Sequence, residues 1–203
     1  MKKLLTTLLC AMLTLCAFAQ SECSDENVNT HLKFKGIPID GTPSEFARQL
    51  SRNGFVYEET TIGGVQRYKG SFAGYDNCDI GVKSANSLVY EVIVIFPKEY
   101  TWNHLYGTYS SLKKMLTSKY GEPWKSKEEF ENTPSYRNIA DDNDKYKEVK
   151  DDHCNYYAIF FSTPDESGSG SIQIEIKSSG RVGIHYEDYE NASKMMDSAM
   201  NDL

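Results

Sequence analysis

Seven side chains that can bind a metal ion fall close together in the second half of the chain: Asp141, Asp142, Asp144, Asp151, Asp152, His153 and Cys154. A calcium loop needs oxygen ligands at alternate positions and a glycine at the sixth, but Lys145, Tyr146 and Lys147 interrupt that spacing. A zinc site needs paired cysteine or histidine ligands, and this segment offers only His153-Cys154. We therefore expect a solvated loop, and the sequence predicts no metal and no cofactor.

No arrangement of residues suggests a catalytic nucleophile. The chain has no G-x-S-x-G motif, and its four histidines are scattered, with no partner implied by their spacing. Glu58-Glu59 and Glu128-Glu129 offer paired carboxylates, but adjacent residues of a strand point to opposite faces. A non-enzymatic binding function is therefore favoured. The alternative is a periplasmic or secreted hydrolase with a site that the sequence does not reveal.

Aromatic side chains are more numerous than one small core obviously needs, with 14 tyrosines and two tryptophans. These residues are enriched in binding surfaces because they combine a large apolar area with a polar tip. We expect Trp102 and Tyr109 to hold a helix on a sheet. Trp124, Tyr156 and Tyr157 are the predicted binding residues, and Tyr136 is a further candidate. They predict contact with a protein partner across a sheet face in the second half, without indicating an oligomeric state.

The first 19 residues have the features of a cleavable signal peptide. Lys2 and Lys3 precede an apolar run over residues 4–15, and Ala17-Phe18-Ala19 provides a small-x-small cleavage site. Lipidation is a minor alternative, because leucine precedes both cysteines of this segment. The sequence therefore predicts export to the periplasm or beyond, with no membrane span after cleavage, and a protein partner in the cell envelope.

The acidic composition limits the classes of partner. A formal net charge of −7 at pH 7 disfavours nucleic acid, which usually requires a basic stripe. The same charge favours a basic protein partner through electrostatic complementarity.

Three cysteines follow the predicted cleavage site, namely Cys23, Cys78 and Cys154. At most one disulfide can form within the chain. Cys78 and Cys154 each open an apolar strand-like run, which favours a bridge between them. Two buried, unpaired thiols are an equal alternative.

Helix signals and strand alternation predict an α+β fold. Thr42-Pro43-Ser44-Glu45 predicts a helix start with a capping box, and Asn53-Gly54 predicts its end. Antiparallel strands should then follow over residues 55–59, 65–72, 78–83 and 88–96. The last of these is apolar on both faces except at Glu91, as expected of a central strand.

The same order recurs in the second half of the chain. We predict a helix over 102–120, a polar stretch over 125–152, strands over 156–162, 171–178 and 181–186, and a closing helix from 189. The prediction is thus two tandem helix-plus-antiparallel-strand repeats, with the helices packed on one face of the sheet. The predicted organisation is a signal peptide over 1–19, a polar leader over 20–30, a first αβ repeat over 31–99, a second over 100–187 and a C-terminal helix over 188–203.

Two stretches carry a resemblance to known proteins. Phe34-Lys35-Gly36-Ile37-Pro38-Ile39-Asp40-Gly41-Thr42, with Phe46, Leu50 and Gly54-Phe55 after it, resembles the opening of a group of uncharacterised secreted proteins from Bacteroidetes, and Lys119-Tyr120-Gly121-Glu122-Pro123 fits the same group. The predicted architecture is similar to that of the β-lactamase inhibitory protein and of the related small lipoprotein of the outer-membrane barrel-assembly machinery. The resemblance covers about residues 31–187 and implies a tandem αβ fold whose sheet grips a protein partner. Its motifs are structural, so no functional residue is carried across.

Overall fold

Four helices and a large antiparallel sheet make up the computed structural model, which describes residues 31–131, 139, 141–162 and 169–201. The helices are α1 (Pro43–Arg52), α2 (Trp102–Tyr120), α3 (Asp142–Lys150) and α4 (Tyr189–Asn201). The strands are β1 (Lys33–Phe34), β2 (Ile37–Pro38), β3 (Val56–Thr60), β4 (Gln66–Phe72), β5 (Tyr75–Ala85), β6 (Leu88–Ile95), β7 (Lys125–Phe130), β8 (Cys154–Phe161), β9 (Gly170–Lys177) and β10 (Arg181–Asp188). The α+β class predicted from the sequence is confirmed.

The main sheet has eight strands in the order β3-β4-β5-β6-β10-β9-β8-β7, and each neighbouring pair is antiparallel. Strands β1 and β2 form a separate two-stranded hairpin. Strand β6, which the sequence predicts as central, lies between β5 and β10 in the middle of the sheet. The strands that follow α1 and the strands that follow α2 therefore meet at the β6–β10 pair.

One face of this sheet packs against α1 and α2. Val94 of β6 lies opposite Ile184 of β10, and both belong to a single buried cluster with Leu50 of α1 and Leu112 of α2. Successive strand residues point to opposite faces. Away from the bulges near the strand ends, the odd-numbered positions of β4, β5, β6, β8, β9 and β10 therefore point away from α1 and α2, and we call this side the open face.

Local signals in the sequence fix the ends of α1. The Thr42 side chain accepts a hydrogen bond from the Glu45 backbone N–H, and the Glu45 carboxylate accepts one from the Thr42 backbone N–H, as in a capping box. Gly54 then adopts a positive φ of 84°, and the Phe55 N–H donates to the Leu50 carbonyl at 3.1 Å. The helix therefore begins and ends where its sequence predicts.

Strand β7 and helix α3 occupy most of the segment that the sequence predicts as a polar stretch. Strand β7 lies at the sheet edge, where a strand needs few apolar residues. Its charged sequence therefore lacks the apolar pattern from which a strand is predicted. Asp141 caps α3 by accepting a hydrogen bond from the Asp144 N–H at 2.9 Å. Asp141, Asp142 and Asp144 thus form the start of a helix, and the prediction of a solvated loop was wrong for residues 142–150.

Helix α4 is tied to the N-terminal segment of the described chain and to β6 by buried polar groups. The Asp188 carboxylate accepts hydrogen bonds from the backbone N–H of Leu32 at 2.8 Å and of Asn191 at 3.0 Å. The Asn191 side chain in turn donates to the carbonyls of Ile39 and Val89. Among the described helices, none combines the length and hydropathy required to cross a membrane.

Candidate binding face

A lattice of charged side chains crosses the centre of the open face. Its members are Lys83 of β5, Glu91 of β6, His185 of β10, and Glu175 and Lys177 of β9, and we call them the charge lattice. Glu91 lies 2.7 Å from Lys83 Nζ and 2.8 Å from His185 Nδ1. His185 Nε2 lies 3.3 Å from Glu175, which also pairs with Lys177. Four strands are thereby joined by alternating charges.

The electrostatics of the charge lattice favour a protonated histidine. Burial alone would lower the pKa of His185, but its hydrogen bonds to Glu175 and Glu91 outweigh burial and raise that pKa above its ordinary value. The contact with His185 and the charge of Lys177 together overcome burial and lower the pKa of Glu175 to about 2. Both ring nitrogens of His185 contact carboxylates, which stabilise the protonated form of the ring.

A second set of ion pairs lies beside the charge lattice. Asp79 of β5 is 2.7 Å from Arg181 of β10 and 3.1 Å from Lys69 of β4. Burial raises the pKa of Asp79, but the hydrogen bonds from Lys69 and Arg181 outweigh it, so the net pKa is lowered. The carboxylates of this part of the face are thus held ionised by cations on neighbouring strands.

A shallow depression of about 380 Å³ interrupts these charges. Gly81, Ile93 and Ile95 contribute its apolar lining, while Arg67 and His185 are among the charged residues around it. Ile93 lies between Gly81 on β5 and His185 on β10 in the strand register. The centre of the open face is therefore an apolar hollow surrounded by charge.

Aromatic residues line the β7–β8 side of the open face. The Trp124 ring lies 5.5 Å from Phe161, and the Phe161 ring lies 6.5 Å from Tyr189. Trp124 is 60% exposed and Tyr189 is 39% exposed. Tyr157 is half-buried on the same side of β8 as Phe161, with Lys125 Nζ 5.8 Å from its ring centre. We call Trp124, Tyr157, Phe161 and Tyr189 the aromatic border.

The three predicted binding residues divide between the two sides of the sheet. Trp124 and Tyr157 belong to the aromatic border, whereas Tyr156 faces α2, where its ring meets Trp102 edge-on at 5.0 Å. Burial raises the pKa of Tyr156 to about 12. Trp102 and Tyr109 are buried, as expected of residues that hold α2 on the sheet. Tyr136 lies outside the described residues.

The two cysteines that were predicted to form a disulfide are far apart. Cys78 on β5 and Cys154 on β8 are both free, and β6, β10 and β9 lie between their strands. Four strand spacings of about 4.8 Å separate them by roughly 19 Å, whereas a disulfide requires Cα atoms within about 7 Å. The bridge between Cys78 and Cys154 is therefore not formed, and the alternative of two unpaired thiols describes the structure.

A further group of potential metal ligands follows α3. Glu148, Asp151 and His153 place their ligand atoms within 4.8 Å of one another. His153 Nδ1 lies 2.7 Å from the buried carboxylate of Glu148. Ligands with bonds of about 2.0 Å in a tetrahedral zinc site lie roughly 3.3 Å apart, so this contact has the length of a hydrogen bond. The group is therefore a set of hydrogen-bonded polar side chains at the C-terminal end of α3.

The charge lattice is the feature that sequence analysis missed. Glu91 is the polar member of an apolar strand, and Glu175 and His185 each lie between apolar neighbours, which could have marked them as residues of one wet face. Their convergence depends on the pairing of β6 with β10 and of β10 with β9, which local patterns do not specify.

Compared with known proteins, the chain matches no protein-family model, no curated protein and no solved structure.

Proposed function

We propose that this protein is an exported, non-enzymatic binding module that contacts a protein partner of the cell envelope through its open face. The observation that carries the proposal is the aromatic border, in which the exposed rings of Trp124 and Tyr189 each lie next to Phe161, while Tyr157 lies on the same face of β8. Contiguous exposed aromatic groups usually mark interaction sites, and tryptophan and tyrosine are the commonest energetic anchors of interfaces.

The charge lattice supports the same surface. Each of its carboxylates already has a cationic neighbour, as Glu91 has Lys83 and His185. A partner that covers this surface would leave few charges buried without a counter-ion, which is the costly outcome when an interface closes. The open face can therefore be covered at a modest electrostatic cost.

The two halves of the chain are proposed to be tandem repeats. In each half a helix precedes four strands of the sheet, although α3 interrupts the second set. The last strand of each set, β6 or β10, pairs with the other in the middle of the sheet. This arrangement supports a duplicated αβ unit whose sheet faces form one continuous surface.

Export rests on the signal features of residues 1–19. Intact-mass measurement of protein recovered from its native host tests it. We expect a mature chain that begins at Gln20, and a chain that keeps residues 1–19 or carries a lipid would overturn this part of the proposal.

Alanine substitution in the aromatic border tests the binding function. Trp124→Ala and Tyr157→Ala should each change the free energy of unfolding by less than about 1 kcal/mol, because neither side chain is fully buried. At least one should weaken capture of the envelope partner about tenfold, the effect of removing an interface anchor. Capture is measured by retention of native-envelope proteins on immobilised protein, followed by mass spectrometry.

Two variants serve as controls for this experiment. Met115→Ala removes a side chain that is 52% exposed on α2, on the other side of the sheet, and should leave capture unchanged. Tyr156→Ala should instead destabilise the protein by about 3 kcal/mol, because it empties a packed aromatic cluster. Full capture by both border variants would contradict the proposed function.

A further inference from the structure

We propose that Glu187, which lies between the charge lattice and the aromatic border, receives a basic side chain of the protein partner. The inference rests on the proposed function, because it takes a partner to cover the open face and identifies one chemical group that the partner supplies. It rests on three observations. Glu187 lies opposite another carboxylate, no cation of the described residues contacts it, and a small residue separates it from the aromatic border.

The strand register places Glu187 directly opposite Glu91. Glu187 is at an odd-numbered position of β10, on the side of the sheet away from α1 and α2, and its partner in the register of β6 is Glu91. Like charges at directly opposite positions of neighbouring strands destabilise a sheet. A residue that breaks such a local rule without a gain to the fold is expected at a functional site.

The cations near Glu187 are already engaged with Glu91. Lys83 Nζ lies 2.7 Å from Glu91, and His185 Nδ1 lies 2.8 Å from the same carboxylate. Within the described part of the chain, no lysine, arginine or histidine forms an ion pair with Glu187. Burial and the charge of Glu91 raise the pKa of Glu187, against the smaller opposing effects of Lys83 and His185. The ionised carboxylate is therefore only partly compensated within the fold.

A partner that covers Glu187 needs to bring a counter-ion. Glu187 is already half-buried, and a carboxylate that loses its remaining water without gaining a cation weakens a complex strongly. Because Lys83 and His185 contact Glu91, the cation has to come from the partner. The net charge of −7 attracts basic proteins at longer range. The local charge and the overall charge therefore have the same sign and select the same kind of group.

A small residue separates Glu187 from the aromatic border. Ser171 of β9 lies opposite Glu187, and Phe161 of β8 lies opposite Ser171. Two strand spacings of about 4.8 Å thus place Phe161 roughly 10 Å from Glu187, with only a serine between them. The Tyr189 ring lies 6.5 Å from Phe161. An arginine suits this row because its guanidinium group pairs with carboxylates and stacks on aromatic rings.

Selection of displayed peptides on the intact mature protein tests this inference while the partner is unidentified. A phage library of random dodecapeptides is first depleted on Trp124→Ala, so that the peptides then selected on the original protein are those that need the aromatic border. We expect the enriched peptides to contain Arg or Lys. Each peptide is synthesised with its basic residues intact and with each one replaced in turn by a neutral isostere, citrulline for arginine or acetyl-lysine for lysine.

A double-mutant cycle shows whether one of these basic residues meets Glu187. On the original protein, loss of its charge should raise the dissociation constant about tenfold, the effect of removing a charge-assisted hydrogen bond. On Glu187→Gln the same loss should change the dissociation constant by less than about twofold, because the counter-ion is already absent.

Glu58→Gln is the matched control for the change in net charge. It removes one carboxylate from β3, which lies four strands from β10, or roughly 19 Å at about 4.8 Å per strand. This variant should retain the full effect of the peptide charge.

Urea unfolding of Glu187→Gln gives a second readout. The midpoint should stay unchanged or rise, because the substitution removes a carboxylate that lies opposite Glu91. A lower midpoint would show that the fold itself uses this carboxylate, and would overturn the inference.

Enriched peptides without basic residues, or equal losses on the original protein and on Glu187→Gln, would overturn the inference and leave the proposed function in place. Failure to recover any peptide after depletion on Trp124→Ala would count against both proposals.

Discussion

His185 connects carboxylates that are distant in the sequence. Glu91 and Glu175 lie 84 residues apart in the chain, yet the pairing of β6, β10 and β9 brings both to one imidazole. The cation reduces the repulsion between the two carboxylates, and each carboxylate favours the protonated ring. The charge state of this residue therefore links the stability of the sheet to pH.

The stability of the sheet should depend on the charge of His185. Because its pKa is raised by folding, its contribution is complete below its unfolded pKa, near 6.5, and is lost as the pH rises through the higher folded pKa. We expect His185→Gln to remove this alkaline decline, as measured by urea unfolding between pH 6 and pH 9. His104→Gln is the matched control, since the His104 side chain is 77% exposed. Equal alkaline slopes for the original protein and His185→Gln would contradict this account.

Glu175 makes the stability of the sheet depend on pH in the acidic range. Its pKa is lowered to about 2, so its contribution is complete above the unfolded pKa, near 4.5, and is lost as the pH falls from there toward 2. The free energy of unfolding contributed by this pair should therefore be greatest between about pH 5 and pH 6.5.

The two described thiols should be unreactive in the folded protein. Burial raises the pKa of Cys78 to about 11 and that of Cys154 to about 12, so little thiolate exists at pH 8. We expect iodoacetamide to leave both unmodified in the native protein and to alkylate both in urea without a reductant, as measured by peptide mass spectrometry. Alkylation in urea only after reduction would instead indicate that the thiols are in disulfides.

At the scale of elements, strong local signals were enough to place α1 and α2. Thr42 and Gly54 bound the first helix, and α2 covers the predicted range of 102–120. Strands with alternating or fully apolar sequences were also placed from local patterns. Strand β7 was missed because it is a charged edge strand, and α3 because only Glu148 and Val149 are buried along it.

The candidate site was only partly predictable, because local sequence patterns do not specify contacts between distant elements. Alternation separates Tyr156 from Tyr157 onto opposite faces, but it does not say which face the helices cover. That choice follows from the packing of Tyr156 against Trp102 of α2. The charge lattice and the depression depend on contacts between strands that are distant in sequence, so no local pattern could reveal them.

The capping box of α1 should make a measurable contribution to stability. Thr42→Ala removes the acceptor for the Glu45 N–H and should lower the free energy of unfolding by about 1 kcal/mol. Ser44→Ala, an exposed position in the first turn of the same helix, is the control and should have an effect below about 0.5 kcal/mol. Urea unfolding measures both, and equal effects would show that the cap is not the cause.

At the scale of the whole molecule, the two edges of the sheet offer poor surfaces for an added strand. Lys125, Lys127, Glu128 and Glu129 lie on the β7 edge, and Glu58 and Glu59 lie on the β3 edge. Charged edge strands discourage pairing with another chain. Since α1 and α2 pack on one face, the opposite face, with its aromatic border and depression, is the surface best suited to a partner.

Site-specific photocrosslinking in the native host tests this central claim most directly. A photoreactive benzoylphenylalanine replaces Tyr157 on the open face or, separately, Met115 on α2, and the crosslinked products are identified by mass spectrometry. We predict that the Tyr157 position yields a discrete crosslink to a protein of the cell envelope and that the Met115 position does not. A crosslink from the Met115 position alone, or none from either position, would contradict a partner bound at the open face.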